Sequence, residues 1–106
     1  MSVLKNKITA LVVVSASMIG FNSQAQAEDY QKLLNMCIAC HGVDGSNEFD
    51  SIPNLKGQNV QYMVGQLKNF KAETRQDKTM SKVAKLLTEE QMQAMAVYFN
   101  TGKEQD

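Results

Sequence analysis

Both cysteines of this 106-residue chain and its only histidine lie within five consecutive residues, Cys37-Ile38-Ala39-Cys40-His41. With a single histidine, the chain cannot form a metal site that needs two imidazoles, and it cannot form a two-cysteine, two-histidine zinc finger. The 11 Lys and Arg residues balance the 11 Asp and Glu residues, so the net charge gives no argument for nucleic acid binding. The length corresponds to one small domain.

The spacing Cys-x-x-Cys-His is the attachment signal for c-type haem. Two thiols three residues apart can form thioethers with the two vinyl groups at one edge of a haem, and the adjoining imidazole can then bind the iron. We therefore predict that Cys37 and Cys40 attach a haem and that His41 binds its iron. Two alternatives stay open. A Cys37–Cys40 disulfide would close a very short loop and stabilise little, and a thioredoxin-like redox pair would need a strand–helix–strand setting. Zinc would need further ligands, but the chain has no other Cys or His.

The first 27 residues have the order of a secretory signal peptide. Lys5 and Lys7 precede an apolar stretch over 8–21, and the small residues Ala25 and Ala27 follow it. A membrane anchor is the alternative, but this stretch has 14 residues and a spanning helix needs about 20 that are predominantly apolar. We expect cleavage after about Ala27, export to the periplasm, and no stable membrane insertion of the cleaved protein.

Cleavage would leave residues 28–106 as the mature domain. Domains of this size bury a modest core and usually need a disulfide, a metal or a bound group to be stable. A covalently held haem would supply that group and much of the apolar core.

Apolar residues at spacings of three and four predict an all-α domain with three main helices and a short one. The first helix is expected to begin with Asp29 as its N-cap and to end at Gly42. The last helix is expected to begin at Thr88, which has the capping-box spacing with Gln91, and to end at Gly102.

The middle of the chain is predicted to contain a loop and two further helices. Residues 47–56 are polar and include the only proline, Pro53, so they predict a loop. A second helix is predicted over 58–71 and a short one over 81–87. No segment alternates apolar and polar residues for long enough to predict a strand.

An iron bound by His41 has room for a second axial ligand, which could be a methionine, a lysine or no protein group at all. Met36 adjoins the attachment motif, and three methionines lie on apolar helix faces, where methionine is usually core filler. Met80 lies off those faces, just before the short helix. We predict that Met80, on a loop, is the second ligand, with Met63 as the next candidate. The alternative is that Met80 is a surface residue.

Four runs of sequence together resemble a class I cytochrome c, closest to the small bacterial monohaem cytochrome c553 type, which is also similar to one half of the dihaem cytochrome c4. The runs are 37–42 with Gly45, 53–58, 79–81 and 95–99. They occur in the family's order, and the resemblance covers nearly all of 28–106. It implies the cytochrome c fold.

The resemblance also implies roles for single residues. The carbonyl of Pro53 would orient His41, Met80 would be the distal ligand, and the aromatic ring of Tyr98 would pack the last helix against the first. The chain has Lys78 where relatives commonly have a proline two residues before the methionine. The loop therefore lacks one conformational restraint.

Iron with His and Met ligands has no open position for oxygen or peroxide, and the neutral thioether favours the ferrous form. The chain also has no second histidine to act as an acid or base. These features predict an electron carrier and not an enzyme. Expected partners are redox proteins such as a membrane quinol-oxidising complex and a terminal oxidase or reductase. The alternatives are a haem c subunit of a larger dehydrogenase, or a sensor in which a small ligand displaces Met80.

Basic residues concentrate in the segment 56–85, which has seven Lys or Arg residues and two acidic ones. They are either an ordinary solvated surface or a docking patch that guides an acidic redox partner to the haem edge.

Overall fold

The computed structural model describes residues 19–103, with side chains from residue 27 onward. This range forms four helices, α1 (Ile19–His41), α2 (Val60–Ala72), α3 (Met80–Ala84) and α4 (Glu89–Thr101). The described residues contain no strand, as predicted. Residues 1–18 of the predicted signal peptide lie outside the described residues. Among the helices described, none has the length and apolar character that crossing a bilayer requires.

The start expected for the first helix is wrong. Asp29 is not an N-cap, because α1 is already helical from Ile19. Residues 24–28 are Gln, Ala, Gln, Ala and Glu, all good helix formers, and no proline interrupts them. The end of the helix is close to the prediction, because Gly42 follows His41 with a φ of 95°.

The ends of α2 are set by two caps. The side chain of Asn59 accepts a hydrogen bond from the Tyr62 N–H, so α2 begins two residues later than predicted. At the other end Glu73 has a φ of 62°, in the left-handed region, and its N–H donates to the carbonyls of Asn69 and Phe70. A single residue in this conformation stops the helix.

The predictions for α4 are confirmed. The Thr88 hydroxyl accepts from the Gln91 N–H, and the Gln91 side chain accepts from the Thr88 N–H, so both halves of the capping box are present. Gly102 ends the helix in the left-handed conformation, with a φ of 80°.

The short helix begins and ends earlier than predicted. Met80, expected on a loop, is the first residue of α3. The Asp77 carboxylate accepts from the N–H groups of Thr79 and Met80, at 2.9 and 2.8 Å, and thereby caps this turn. Residues 85–87 continue as a tighter turn, in which Leu87 N–H donates to the carbonyl of Ala84.

The core lies between α4, α2 and the middle of α1. The apolar residues of α4 are buried along its whole length, while α2 contributes Met63 and α1 contributes Leu34. The buried core residues are Leu34, Met63, Leu87, Met92, Met95, Ala96, Tyr98 and Phe99. The hydroxyl of Tyr98 donates to the carbonyl of Val43, so the aromatic of the last helix is bound to the chain just after α1.

Candidate haem site

One large cavity opens between α1, α2, α3 and the loop 42–59. It contains about 1200 Å³ of empty space, the open solvent at its mouth included. Four of the five predicted site residues line it: Cys37, His41, Pro53 and Met80. Most of the remaining lining is apolar. Those apolar residues are Leu55, Met63, Leu67, Phe70, Val83, Leu87, Met95, Ala96 and Phe99.

His41 is the last residue of α1, and only 7% of it is exposed. Its Nδ1 lies 2.9 Å from the carbonyl oxygen of Pro53. A carbonyl can only accept, so Nδ1 is the nitrogen that donates, and in the neutral ring the lone pair is then on Nε2. That tautomer leaves Nε2 able to bind a metal, with the ring orientation fixed by the Pro53 carbonyl.

Two glycines shape the loop that brings Pro53 back to His41. A Cβ on Gly42 would lie 1.8 Å from the carbonyl oxygen of Ser46, and a Cβ on Gly45 would lie 2.6 Å from the Lys56 nitrogen. Both glycines have positive φ, so the close approach and the backbone conformation each require glycine.

Asn47 clamps this loop from inside, a role that the sequence patterns did not indicate. Its side-chain amide donates to the carbonyl of Ile52 at 3.2 Å and to the side-chain oxygen of Asn54 at 3.1 Å. Its backbone N–H also donates to the Asn54 side-chain oxygen, at 2.9 Å. Asn47 and Asn54 thus hold the residues on both sides of Pro53. The one sequence feature that could have indicated this role is that the two asparagines lie on both sides of the only proline.

The two cysteines have different surroundings. Cys37 is half-buried, its sulfur lies 3.7 Å from the sulfur of Met95, and burial raises the pKa of its thiol to about 11. The thiol is therefore protonated at neutral pH. Cys40 is exposed and is not among the residues lining the cavity. A residue three positions further along a helix is rotated by about 60°, which moves Cys40 off the apolar stripe that carries Cys37.

The Met80 side chain is half-buried and lines the cavity. Its backbone is held by the Asp77 carboxylate, and the N–H groups of Met80 and Thr79 hold the pKa of Asp77 below its usual value. The Ser81 hydroxyl accepts from the Asp77 N–H at 3.1 Å, which closes the turn from the other side. Met63, the second candidate ligand, also lines the cavity, and it is 7% exposed.

Two charged residues of the lining, Arg75 and Asp77, were also missed as site residues. Both lie between α2 and α3, where helical periodicity predicts nothing about the direction of a side chain.

Comparison with known proteins identifies the family. The family described as Cytochrome c matches residues 27–103, which is most of the chain. The chain belongs to the cytochrome c family. The expected resemblance to a small class I cytochrome c is thereby confirmed, and so is the all-α cytochrome c fold.

Individual relatives agree with this assignment. Over 90% of its length this cytochrome is 32% identical to "Cytochrome c-552" of Acidithiobacillus ferridurans. It is 32% identical over 72% of its length to "Thiosulfate dehydrogenase electron acceptor" of Stutzerimonas stutzeri (strain A1501). It is 28% identical over 89% of its length to "Cytochrome c-553" of Nitratidesulfovibrio vulgaris. The chain spans 44% of the first relative, 37% of the second and 96% of the third.

The residues of the cavity fit the cofactor of this family. Two thiols and an imidazole stand in the attachment motif, and the imidazole has the tautomer that binds a metal through Nε2. The cavity walls are apolar, as a porphyrin requires, and a cation lies in the lining. This cytochrome therefore carries covalently bound haem c with its iron.

Proposed function

We propose that the chain is exported, is cleaved after about Ala27, and works in the periplasm as a single-electron carrier. In this proposal Cys37 and Cys40 form the thioethers, and His41 and Met80 are the axial ligands of the iron. One observation carries the proposal: His41 and Met80, which are 39 residues apart in the sequence, line the same largely apolar cavity. The His41 ring is oriented by Pro53, and the Met80 backbone is held by Asp77.

Each part of the protein has a task in electron transfer. When bound, haem c with imidazole and thioether ligands gains or loses one electron while both ligands stay in place. Pro53 holds the His41 ring, and the Asp77 carboxylate holds the backbone of Met80. The apolar walls exclude water. Fixed ligands reduce the rearrangement that accompanies each change of charge.

Absorption spectroscopy of the purified holoprotein tests the ligands. We expect the reduced spectrum of covalent haem c and, in the ferric form, the weak far-red band of methionine ligation. Met80→Ala should abolish that band. Met63→Leu is the matched control, because Met63 lines the same cavity, and it should keep the band. A band that survives Met80→Ala and disappears in Met63→Leu would assign the ligand to Met63.

Carbon monoxide separates the carrier from a ligand-binding sensor. If Met80 stays on the iron, the reduced protein should bind carbon monoxide slowly and incompletely at neutral pH. Rapid and complete binding would favour a sensor in which the ligand displaces Met80.

We propose two classes of partner. A membrane quinol-oxidising complex and a terminal oxidase or reductase would fit a free periplasmic carrier. A dehydrogenase would fit as the electron donor, because the name of one relative describes an electron acceptor of such an enzyme. Gel filtration of extracts from the native source distinguishes a free carrier from a haem subunit of a larger dehydrogenase. A cytochrome that elutes only with a much larger protein would support the subunit.

A further inference from the structure

Arg75 differs from every other basic residue in the segment 56–85. Among the described residues that line the haem cavity, it is the only Lys or Arg. The six lysines of that segment lie outside the lining, and three of them form exposed ion pairs with Asp44, Glu89 and Glu73.

The turn after α2 fixes the position of Arg75. The left-handed residue Glu73 stops the helix, and the N–H groups of Thr74 and Arg75 then donate to the carbonyl of Asn69, at 2.9 and 3.1 Å. The chain is therefore held against the end of α2. This brings the Arg75 side chain back beside Phe70.

Contacts within the protein already orient the guanidinium. Its central carbon lies 4.5 Å from the centroid of the Phe70 ring, and its Nη1 donates to the side-chain oxygen of Gln66 at 2.6 Å. Phe70 and Gln66 also line the cavity. A planar group stacked on a ring and held at one nitrogen loses little further freedom when it binds a carboxylate.

The charge of Arg75 has no carboxylate partner within 4.0 Å among residues 27–103. Asp77 interacts with it over a longer range, but one Asp77 oxygen is already occupied by the N–H groups of Thr79 and Met80. Haem carries two propionates, and a carboxylate at the rim of an apolar cavity is costly without a cation. The unused nitrogens of a guanidinium can bind such a group by two parallel hydrogen bonds.

We propose that Arg75 binds one propionate of the haem, with Gln66 and Phe70 holding the guanidinium in place. This deepens the proposed function, because it names the residue that binds the charged edge of the cofactor. It depends on haem c in this cavity and not on which methionine binds the iron.

A carbon-13 titration of the propionates tests the proposal. Cells fed 5-aminolevulinate labelled at its carboxyl carbon make haem labelled at both propionate carboxyls, and NMR of the reduced holoprotein then reports each propionate pKa. In Arg75→Gln we expect one of the two pKa values to rise by about one pH unit or more. Arg75→Lys keeps the charge but cannot form two parallel hydrogen bonds, so this pKa should rise less than in Arg75→Gln.

Lys78→Gln is the matched control, because it removes one charge from the same segment at a residue outside the cavity lining. It should leave both propionate pKa values within about 0.3 pH unit of the starting protein, since exposed charges are screened. Unchanged titrations in Arg75→Gln would overturn the proposal, and so would equal shifts in Arg75→Gln and Lys78→Gln. The far-red band, recorded on the same samples, tests Met80 ligation separately. A missing band with a shifted propionate would refute that ligand alone.

Discussion

Asp77 restrains the backbone of Met80, in a turn that has Lys78 and no proline. Its carboxylate accepts from the Thr79 and Met80 N–H groups. Asp77→Ala removes the acceptor, so under the proposed ligation Met80 should leave the iron more often, and added imidazole should bind the ferric protein about fivefold more tightly. Spectral titration with imidazole measures this. Asp77→Asn keeps a side-chain oxygen and should stay close to the starting protein, and equal affinities for the Ala and Asn variants would contradict the role.

Asp44 should make the stability of the holoprotein depend on pH. The Ser46 N–H and the Lys56 ammonium hold the pKa of Asp44 below its usual value. A carboxylate with a lowered folded pKa stabilises the protein above its unfolded pKa of about 3.9 and loses that contribution as the pH falls through the folded value. Denaturant unfolding should therefore show Asp44→Asn to be less stable at pH 6, with the difference closing towards pH 2. A difference that is constant with pH would refute this.

The attachment motif could be predicted because its chemistry lies within five residues, and the contact of Pro53 with His41 followed from the family resemblance. Asn47 and Arg75 could not be found in the same way. Asn47 contacts residues that become its neighbours only when the loop folds, and Arg75 contacts Phe70 only because of the turn after α2. A pattern of apolar residues contains no information about such polar contacts.

The residue that ends α2, Glu73, has a strained backbone conformation. Glu73 has a φ of 62°, a conformation that costs a residue with a Cβ about 1 kcal/mol and glycine nothing. Glu73→Gly should therefore raise the free energy of unfolding by up to about 1 kcal/mol. Denaturant titration measures the change.

Glu73→Gln is the control for this prediction. It keeps the strained backbone and removes only the exposed ion pair with Lys85, whose atoms lie 3.1 Å apart. Such a pair contributes well under about 1 kcal/mol, so the Gln variant should be nearly as stable as the starting protein. A Gly variant no more stable than the Gln variant would show that the left-handed residue carries no strain.

The helix boundaries were predictable where a side chain caps the helix. The start of α4 could be predicted from Thr88 and Gln91, since both partners of the capping box are within four residues. The predicted start of α1 at Asp29 was wrong because the residues before Asp29 also favour a helix. Met80 was expected on a loop because the Asp77 cap, three residues earlier, was not recognised.

The cavity predicts that haem binding and folding depend on each other. Without haem, the cavity between the helices would stand empty or fill with water, and the described residues bury only a small core beside it. Cys37→Ser with Cys40→Ser should therefore yield no cooperative thermal transition by circular dichroism. Cys40→Ser alone keeps one attachment thiol and should retain some folded holoprotein. A cooperatively unfolding double variant would contradict this dependence.

The distribution of charge over the surface predicts how partners approach. Lys78 and Lys82 stand on both sides of Met80, and neither has an ion-pair partner within 4.0 Å in the part of the chain that the structure describes. An anionic reagent should be drawn to this side. Lys78→Glu with Lys82→Glu should slow oxidation of the reduced protein by ferricyanide about tenfold at low salt, and should flatten the dependence of the rate on ionic strength.

A second double variant separates this local effect from net charge. Lys32→Glu with Lys103→Glu makes the same change in net charge but alters residues outside 56–85. Stopped-flow kinetics should show a much smaller decrease for this control, because the lysines on both sides of Met80 are unchanged and salt screens exposed charges over about 10 Å. Equal decreases in the two variants would mean that only the total charge matters. An unchanged rate in the Lys78 and Lys82 variant would show that these lysines do not attract an anionic reagent. Redox partners would then have to bind through other surfaces.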